Sequence, residues 1–305
     1  FYNTSLFFDS ILHGRTAMES AFHPDGKYVW TPERYLQKTQ RITEALLYRN
    51  TQNPPAFMGL ADVENQFVVL DILKNAAFAN EQYGVLMGDA VSKDGLRLAL
   101  VYANNVFFPD FPAKSDVVPV ELGEDGKPIA NAEFQIFHVP GHLKDSVPLH
   151  IIVNRWDHQA SVAKKASVAL ENLVQDIINK STSQPNIIIM GDFGIAPNHP
   201  LLKNILPNEH TNWALKTEKK WALGSYCQHA NYAVDCFLSD QILTFFPENE
   251  SNVLSSKDFL VHDAVQFVYD RDGQEFPDRT FNPYTGEWYG GYSDHFAVSL
   301  GISMQ

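Results

Sequence analysis

Three short stretches of this 305-residue chain place acidic side chains, and in one case a histidine, at the edges of apolar runs. One is Gly290-Gly291-Tyr292-Ser293-Asp294-His295, directly before the run 296–302. A second is Gly191-Asp192-Phe193-Gly194, directly after the run 186–190. The third is Gly59-Leu60-Ala61-Asp62-Val63-Glu64-Asn65. A carboxylate at a strand end is what a hard divalent cation such as Mg2+ requires. A carboxylate against an imidazole fixes its tautomer and favours its protonated form. Each stretch also has a purely structural explanation: Asp62 or Glu64 can cap a helix opening near Asn65, Gly191-Asp192 and Ser293-Asp294-His295 can be strand-edge turns, and an isolated Asn3 is ordinarily a turn residue.

Charge narrows the chemistry. The net charge is −13 at pH 7, and the nearest approach to a basic cluster, Lys216, Lys219 and Lys220, is broken by Glu218. Affinity for long nucleic acids comes largely from neutralising phosphates, so a long DNA or RNA partner is disfavoured. A small phosphoester or other anionic ligand stays open, since a bound cation reverses the local field. No apolar run approaches the roughly 18 residues of a membrane-spanning helix. The two cysteines, Cys227 and Cys236, are too few for a disulfide framework and lack zinc-site spacing. With Asn231 and Tyr232 as a hairpin turn they face each other, so a cross-strand disulfide and two buried thiols both stay open. The chain opens at Phe1, which points to a processed or trimmed N-terminus, and no signal peptide is visible.

The elements that must position these residues alternate. A helix begins at Thr31-Pro32-Glu33, with Thr31 as cap and Pro32 in the first turn, carries a stripe of Tyr35, Thr39, Ile42 and Leu46, and stops by Asn53-Pro54-Pro55. A buried strand over 56–63 leads to a helix over about 65–79, with Phe67, Leu70, Leu73 and Ala77 expected on its buried side. Strands over 83–90 and 96–103 flank the turn Lys93-Asp94-Gly95. A Pro- and Gly-rich loop spans 107–131. Strands follow at 134–139 and 149–156, the strongest helical pattern covers 161–179, and further strands are expected at 186–190, 224–228, 233–239 and 296–302. Strands outnumber helices, pairing as hairpins and across helices, which predicts an α/β fold with mixed sheets and one domain over 1–305.

The order of elements and four motifs resemble the endonuclease/exonuclease/phosphatase superfamily over nearly the whole chain. The resemblance implies a four-layer α/β sandwich, two mixed β-sheets face to face with helices outside, and a site where loops converge at one sheet end. It implies a Mg2+- or Mn2+-dependent phosphoester hydrolase. In that reading Asn3, after Phe1-Tyr2, touches metal or phosphate. Asp62 stands where bacterial members carry the first Glu of G-L-A-E-V-E-N, the metal ligand, and Glu64 is the next acid. Asp192 matches the Asp of G-D-F-N and helps to activate water. Asp294 in Ser293-Asp294-His295 approaches metal or water, and His295 the phosphate. Val234-Asp235-Cys236-Phe237-Leu238-Ser239 resembles the family's I-D-Q-I-L-V-S, so Asp235 is expected to orient His295. Bacterial relatives of this kind are often exported, which leans the compartment outward.

The departures fall on polar positions. Gly194 replaces the Asn of G-D-F-N, and losing a preorganised donor costs on the order of 10²–10³ in rate in studied cases. Relatives read V-N-H-W-P-S-R before the long helix, where this chain reads Val153-Asn154-Arg155-Trp156-Asp157-His158-Gln159. Arg155 can bind phosphate bidentately but cannot cycle a proton, and His158, three residues on, is expected to face elsewhere. Asp62 is one methylene shorter than Glu, Ser5 and Leu6 replace a Glu and an Asn, and Arg97 is displaced from its turn. Two readings follow: a metal-dependent phosphoester hydrolase of weakened activity, or a non-catalytic relative that binds a phosphate-bearing or other anionic ligand.

Overall fold

In a computed structural model, all residues are described except 49–53, 111–114, 119–120, 131, 183, 207–214, 218–223, 231–232, 248–253, 272–273, 283 and 305. Strand β1 (Tyr2–Phe7) leads through a short helix α1 (Ala17–Ala21) to α2 (Pro32–Leu47). The Thr31 hydroxyl accepts the Arg34 N–H and caps α2, as the sequence predicts. Then come β2 (Phe57–Val63), α3 (Gln66–Leu73), β3 (Tyr83–Met87) and β4 (Arg97–Ala103). These strands form one sheet in the order β1-β2-β4-β3, with β1 and β2 parallel and the other pairs antiparallel.

The second sheet uses the short β5 (Phe107–Pro109) and β6 (Ser115–Asp116), then β7 (Phe134–Leu143), β8 (Pro148–Trp156) and, after helix α4 (Ala160–Lys180), β9 (Asn186–Asp192). After β10 (Leu215–Thr217), β11 (Tyr226–Ala230) and β12 (Ala233–Phe237), β13 (Asp240–Phe245) completes it in the order β13-β9-β8-β7-β5, with β6 against β7. The β8–β9 pair, joined through α4, is parallel, as a helical crossover requires. The chain closes with β14 (Leu254–Val261), β15 (Val268–Arg271), β16 (Gln274–Pro277) and β17 (Val298–Met304). Strand β17 pairs with β14 and is tied to β1 by the Phe1 and Val298 backbones, at 2.7 and 2.9 Å.

Side-chain alternation along the strands builds the layers. Ile151, Val153, Ile188 and Met190 face inward and join Phe1 and Leu100 in the core between the sheets, while Phe7 stacks on Tyr35 on the side of α2. Ile152, Trp156, Ile187 and Ile189 face outward and pack on Ala166, Leu170 and Val174 of α4. Helices α2 and α3 cover the other sheet. The result is the expected four-layer sandwich of α/β class with mixed sheets. Fully burying each such Ile, Leu or Val stabilises by roughly 1.5–3 kcal/mol. No helix of the described residues is long and apolar enough to cross a membrane.

Two local expectations are resolved by packing. In α3 the buried residues are Val68, Val69 and Ile72, whereas Phe67 is 71% exposed and Leu70 39%. Apart from Gln66 and Asp71 the segment is apolar, so periodicity sets its phase weakly; the Asn65 cap and the Tyr35 hydroxyl on Asp71 fix it. Cys227 and Cys236 lie opposite each other in the β11–β12 hairpin and form a disulfide. The expected Asn231-Tyr232 turn, Lys219 and Lys220, and the Asn53 helix stop lie outside the described residues.

Candidate functional site

Strand register carries three charged side chains to one level. Arg155 at the end of β8 is in register with Asp192 at the end of β9, and Asp192 with Asp240 at the start of β13. Residues in register on adjacent strands point to the same face, here the inner one, toward the other sheet. From that sheet β1 contributes Asn3 and β2 contributes Asp62. The loop before β17 brings Ser293-Asp294-His295 to the same end, anchored where the Ser293 hydroxyl donates to the Asn3 carbonyl, 2.8 Å.

Asn3, Asp192, His295 and Asp240 form one buried network. Asn3 Nδ2 donates to Asp192 Oδ2 at 3.0 Å and lies 3.3 Å from His295 Nε2. Asp192 Oδ1 accepts from the Gly194 N–H, 3.1 Å, and from the Ser239 hydroxyl. His295 Nδ1 lies 2.7 Å from Asp240 Oδ2. The sequence resemblance gives that orienting role to Asp235; the structure puts Asp240 there. Asp235 belongs to β12, in register with Gln228. The chain leaves that hairpin at Leu238-Ser239 and only then enters β13 beside β9. A signal for this was available: Asp240-Gln241-Ile242-Leu243 repeats the D-Q-I-L of the family motif letter for letter.

Burial alone would lower the His295 pKa, but Asp240 and then Asp192 raise it to about 10. The ring is therefore an imidazolium at neutral pH, a donor from both nitrogens. Burial opposes ionisation of Asp192, yet His158, His295 and its hydrogen bonds hold its carboxyl well below the usual carboxylate range. Tyr226 stacks on His295 with centroids 4.5 Å apart and lies 4.3 Å from the His158 ring.

His158 does not face elsewhere, as its sequence position suggests. Its Nε2 lies 3.6 Å from Asp192 Oδ2. Gly194 allows this. Its φ is +63°, and a Cβ there would come 3.1 Å from the Asp157 carbonyl and 3.3 Å from His158 Cα. The space of the absent Asn side chain is thus filled by the 157–158 backbone, which delivers a histidine instead. Sequence reasoning also passed over Ser239, Tyr226 and Lys38. Lys38, on α2 and fully buried, donates to Thr280 Oγ1 at 2.6 Å and to the Tyr292 carbonyl, just before Ser293. Burial lowers its pKa to about 7, against the pull of Asp294 and Asp62.

The three expected metal ligands are not brought together. Glu64 accepts the Asp9 N–H at 2.8 Å and pairs with Arg15; a bulge between Leu60 and Val63 breaks the alternation that would have kept it beside Asp62. Asp62 itself has φ +59°, and its Oδ1 lies 3.2 Å from Arg155 Nε. Asp294 Oδ2 lies 4.0 Å from Arg279 Nη1. Asp62 and Asp294 each keep one buried oxygen without a hydrogen bond, which a hard cation could use. Against that, one of the three carboxylates is engaged elsewhere and a guanidinium stands at Asp62. A divalent ion held by Asp62, Glu64 and Asp294 does not fit this donor set. Among the described residues, two groups of histidine and acidic side chains bring ligand atoms within 4.8 Å of one another: His158, Asp192 and His295, and Asp9, His13 and Glu64.

Comparison with known proteins agrees with this fold. The sequence matches the model of the endonuclease/exonuclease/phosphatase family over residues 1–304. No curated protein matches it. Among solved structures it is similar to a family protein of Bacteroides thetaiotaomicron at 15% identity, covering 87% of this chain and 88% of that one with a TM-score of 0.57. A mannosyl-6-phosphatase of the same organism is 14% identical, covering 88% and 91%, TM-score 0.57. Truncated TDP2 of Caenorhabditis elegans is 9% identical, covering 88% and 91%, TM-score 0.55. At these identities the likeness establishes the fold.

Proposed function

The chain belongs to the endonuclease/exonuclease/phosphatase family, and from that premise we propose that it hydrolyses a small phosphoester. The observation that carries the reading is the buried Asn3–Asp192–His295–Asp240 network at the open end of both sheets. Phosphoryl transfer passes through a loose transition state, so positioning and charge matter more than a strong base. Asp192, ionised and flanked by Asn3, His158 and His295, orients a water for in-line attack. A P–O bond forms to that water, which loses a proton to solvent, and the ester P–O bond breaks on the opposite side, the leaving alkoxide taking up a proton from solvent. His295, held as an imidazolium by Asp240, donates from Nε2 to a phosphate oxygen, with His158 as a second donor beside it. Tyr226 supports both rings.

The net charge of −13 supports a small substrate over a long nucleic acid. Replacement of the family's Asn by Gly194 and of its His by Arg155 supports a second reading, a relative that binds a phosphate-bearing or other anionic ligand without cleaving it. Hydrolysis of bis-p-nitrophenyl phosphate and p-nitrophenyl phosphate, in EDTA and with Mg2+ or Mn2+, separates the two. A sugar 6-phosphate belongs in the panel because one structural neighbour is a mannosyl-6-phosphatase. Turnover lost in His295→Ala supports the hydrolase. Phosphate binding without turnover under any condition supports the binder.

A further inference from the structure

Four carboxylates gather at this end of the sandwich, Asp62, Asp192, Asp240 and Asp294, and the basic groups facing them are Arg155, Arg279, His295 and Lys38. A divalent-cation site ordinarily holds surplus negative charge. Here two of the acids, Asp62 and Asp294, face the fixed guanidinium charges of Arg155 and Arg279. The placement of Arg155 is specific. It projects from the inner face of β8, in register with Asp192, and its Nε reaches Asp62 across the two sheets at 3.2 Å. Asp62 is the residue on which the family resemblance places the metal. Arg155 is largely buried, its side chain 20% exposed, and among the described residues no hydrogen bond engages its Nη groups. A guanidinium ion-paired with Asp62, its buried Nε making no hydrogen bond, keeps its N–H donors in a rigid fork suited to phosphate.

We infer that the Arg155 guanidinium, ion-paired with Asp62, stands in for the divalent cation at this position, so that the site takes phosphate-bearing ligands without Mg2+ or Mn2+. The inference deepens the proposed function, resting on its phosphate-binding part. Its logic is electrostatic. A metal ion ligated by Asp62 would lie within a few ångström of a fixed positive charge in a poorly screened interior, and like charges at such range repel strongly. The same guanidinium balances the Asp62 charge at 3.2 Å and offers the phosphate the positive charge that the ion would have supplied.

The test is binding, read without turnover. Free Mn2+ is followed by electron paramagnetic resonance, and inorganic phosphate binding by calorimetry in EDTA. Wild type is expected to show no saturable Mn2+ site up to about 1 mM, the weak end of protein cation sites, and to bind phosphate in EDTA. Arg155→Ala is expected to gain a Mn2+ site at least about 100-fold tighter, lost again in Arg155→Ala/Asp62→Ala, and to bind phosphate at least about 10-fold more weakly in EDTA. Arg155→Lys, which keeps a cation, is expected to keep Mn2+ out. Thermal melts accompany every variant, and Arg155→Gln provides a polar replacement closer in size than alanine. A wild-type Mn2+ site abolished by Asp62→Ala overturns the inference, and so does absence of Mn2+ binding from all the Arg155 variants. Failure of any phosphoester to turn over defeats the hydrolase reading alone and leaves these binding outcomes intact.

Discussion

Asp240 and Asp192 stand opposite each other across the β13–β9 pair, and His295 lies between them, its Nδ1 2.7 Å from Asp240 and its Nε2 3.8 Å from Asp192. One carboxylate holds Nδ1 at hydrogen-bond distance, and the other lies within ion-pair range of Nε2. That division of labour makes the two acids unequal and separately testable.

Asp240→Asn is expected to reduce phosphoester turnover by about 10²-fold or more, by analogy with removal of a preorganised partner at a transition state. Asp235→Asn is expected to change turnover by less than about threefold, within the range of substitutions away from a site. Steady-state kinetics on both variants decides it. Equal losses would return the orienting role to Asp235.

The pH dependence of stability carries two opposing contributions. The His295 pKa is raised in the folded state from 6.5 to about 10. Its contribution is fully present below 6.5 and is lost as pH rises through 10, because the folded state binds more protons across that window. The Lys38 pKa is lowered from 10.5 to about 7, so the unfolded state binds more protons between those values and stability rises with pH there. The two slopes offset each other. Lys38→Met is therefore expected to expose a fall in stability from pH 7 to 10 that the offset hides in wild type, and His295→Gln to expose a rise over the same range. Urea midpoints measured across that range provide the check.

Gly194 has a left-handed backbone and close neighbours. Gly194→Ala is expected to destabilise by about 1–2 kcal/mol from the backbone conformation alone. Gly194→Asn tolerates the φ better but must displace the 157–158 backbone, moving His158 from Asp192. The His158 imidazole proton shifts are expected to move in its NMR spectra relative to wild type. An unchanged His158 signal would show that the loop does not depend on the glycine.

The disulfide closes a short loop, with its cysteines nine residues apart. Chain entropy assigns such a loop about 2–3 kcal/mol. Cys227→Ser/Cys236→Ser is expected to lose that much stability. It is also expected to lower turnover modestly, because Tyr226, which stacks on His295, is the neighbour of Cys227. Thermal melts with and without reductant, paired with activity, test both halves.

The sequence by itself determined the frame. Apolar runs of strand length, the Thr31-Pro32 helix start and the motifs at strand edges are local, so residue type and spacing carry them, and Asn3, Asp192 and His295 fell where those motifs placed them. Tertiary structure decided the partnerships. Asp240 rather than Asp235 meets His295 because strand β13, not hairpin strand β12, lies beside β9. Glu64 turns to Arg15 because a bulge breaks the alternation of β2. The buried face of α3 is chosen by its cap and by Tyr35 on Asp71, because the largely apolar remainder sets little phase of its own. Arg155 meets Asp62, 93 positions earlier in the chain, because packing two sheets face to face brings β8 over β2. Register, bulges and packing between sheets are long-range properties, and they alone settle which charge answers which.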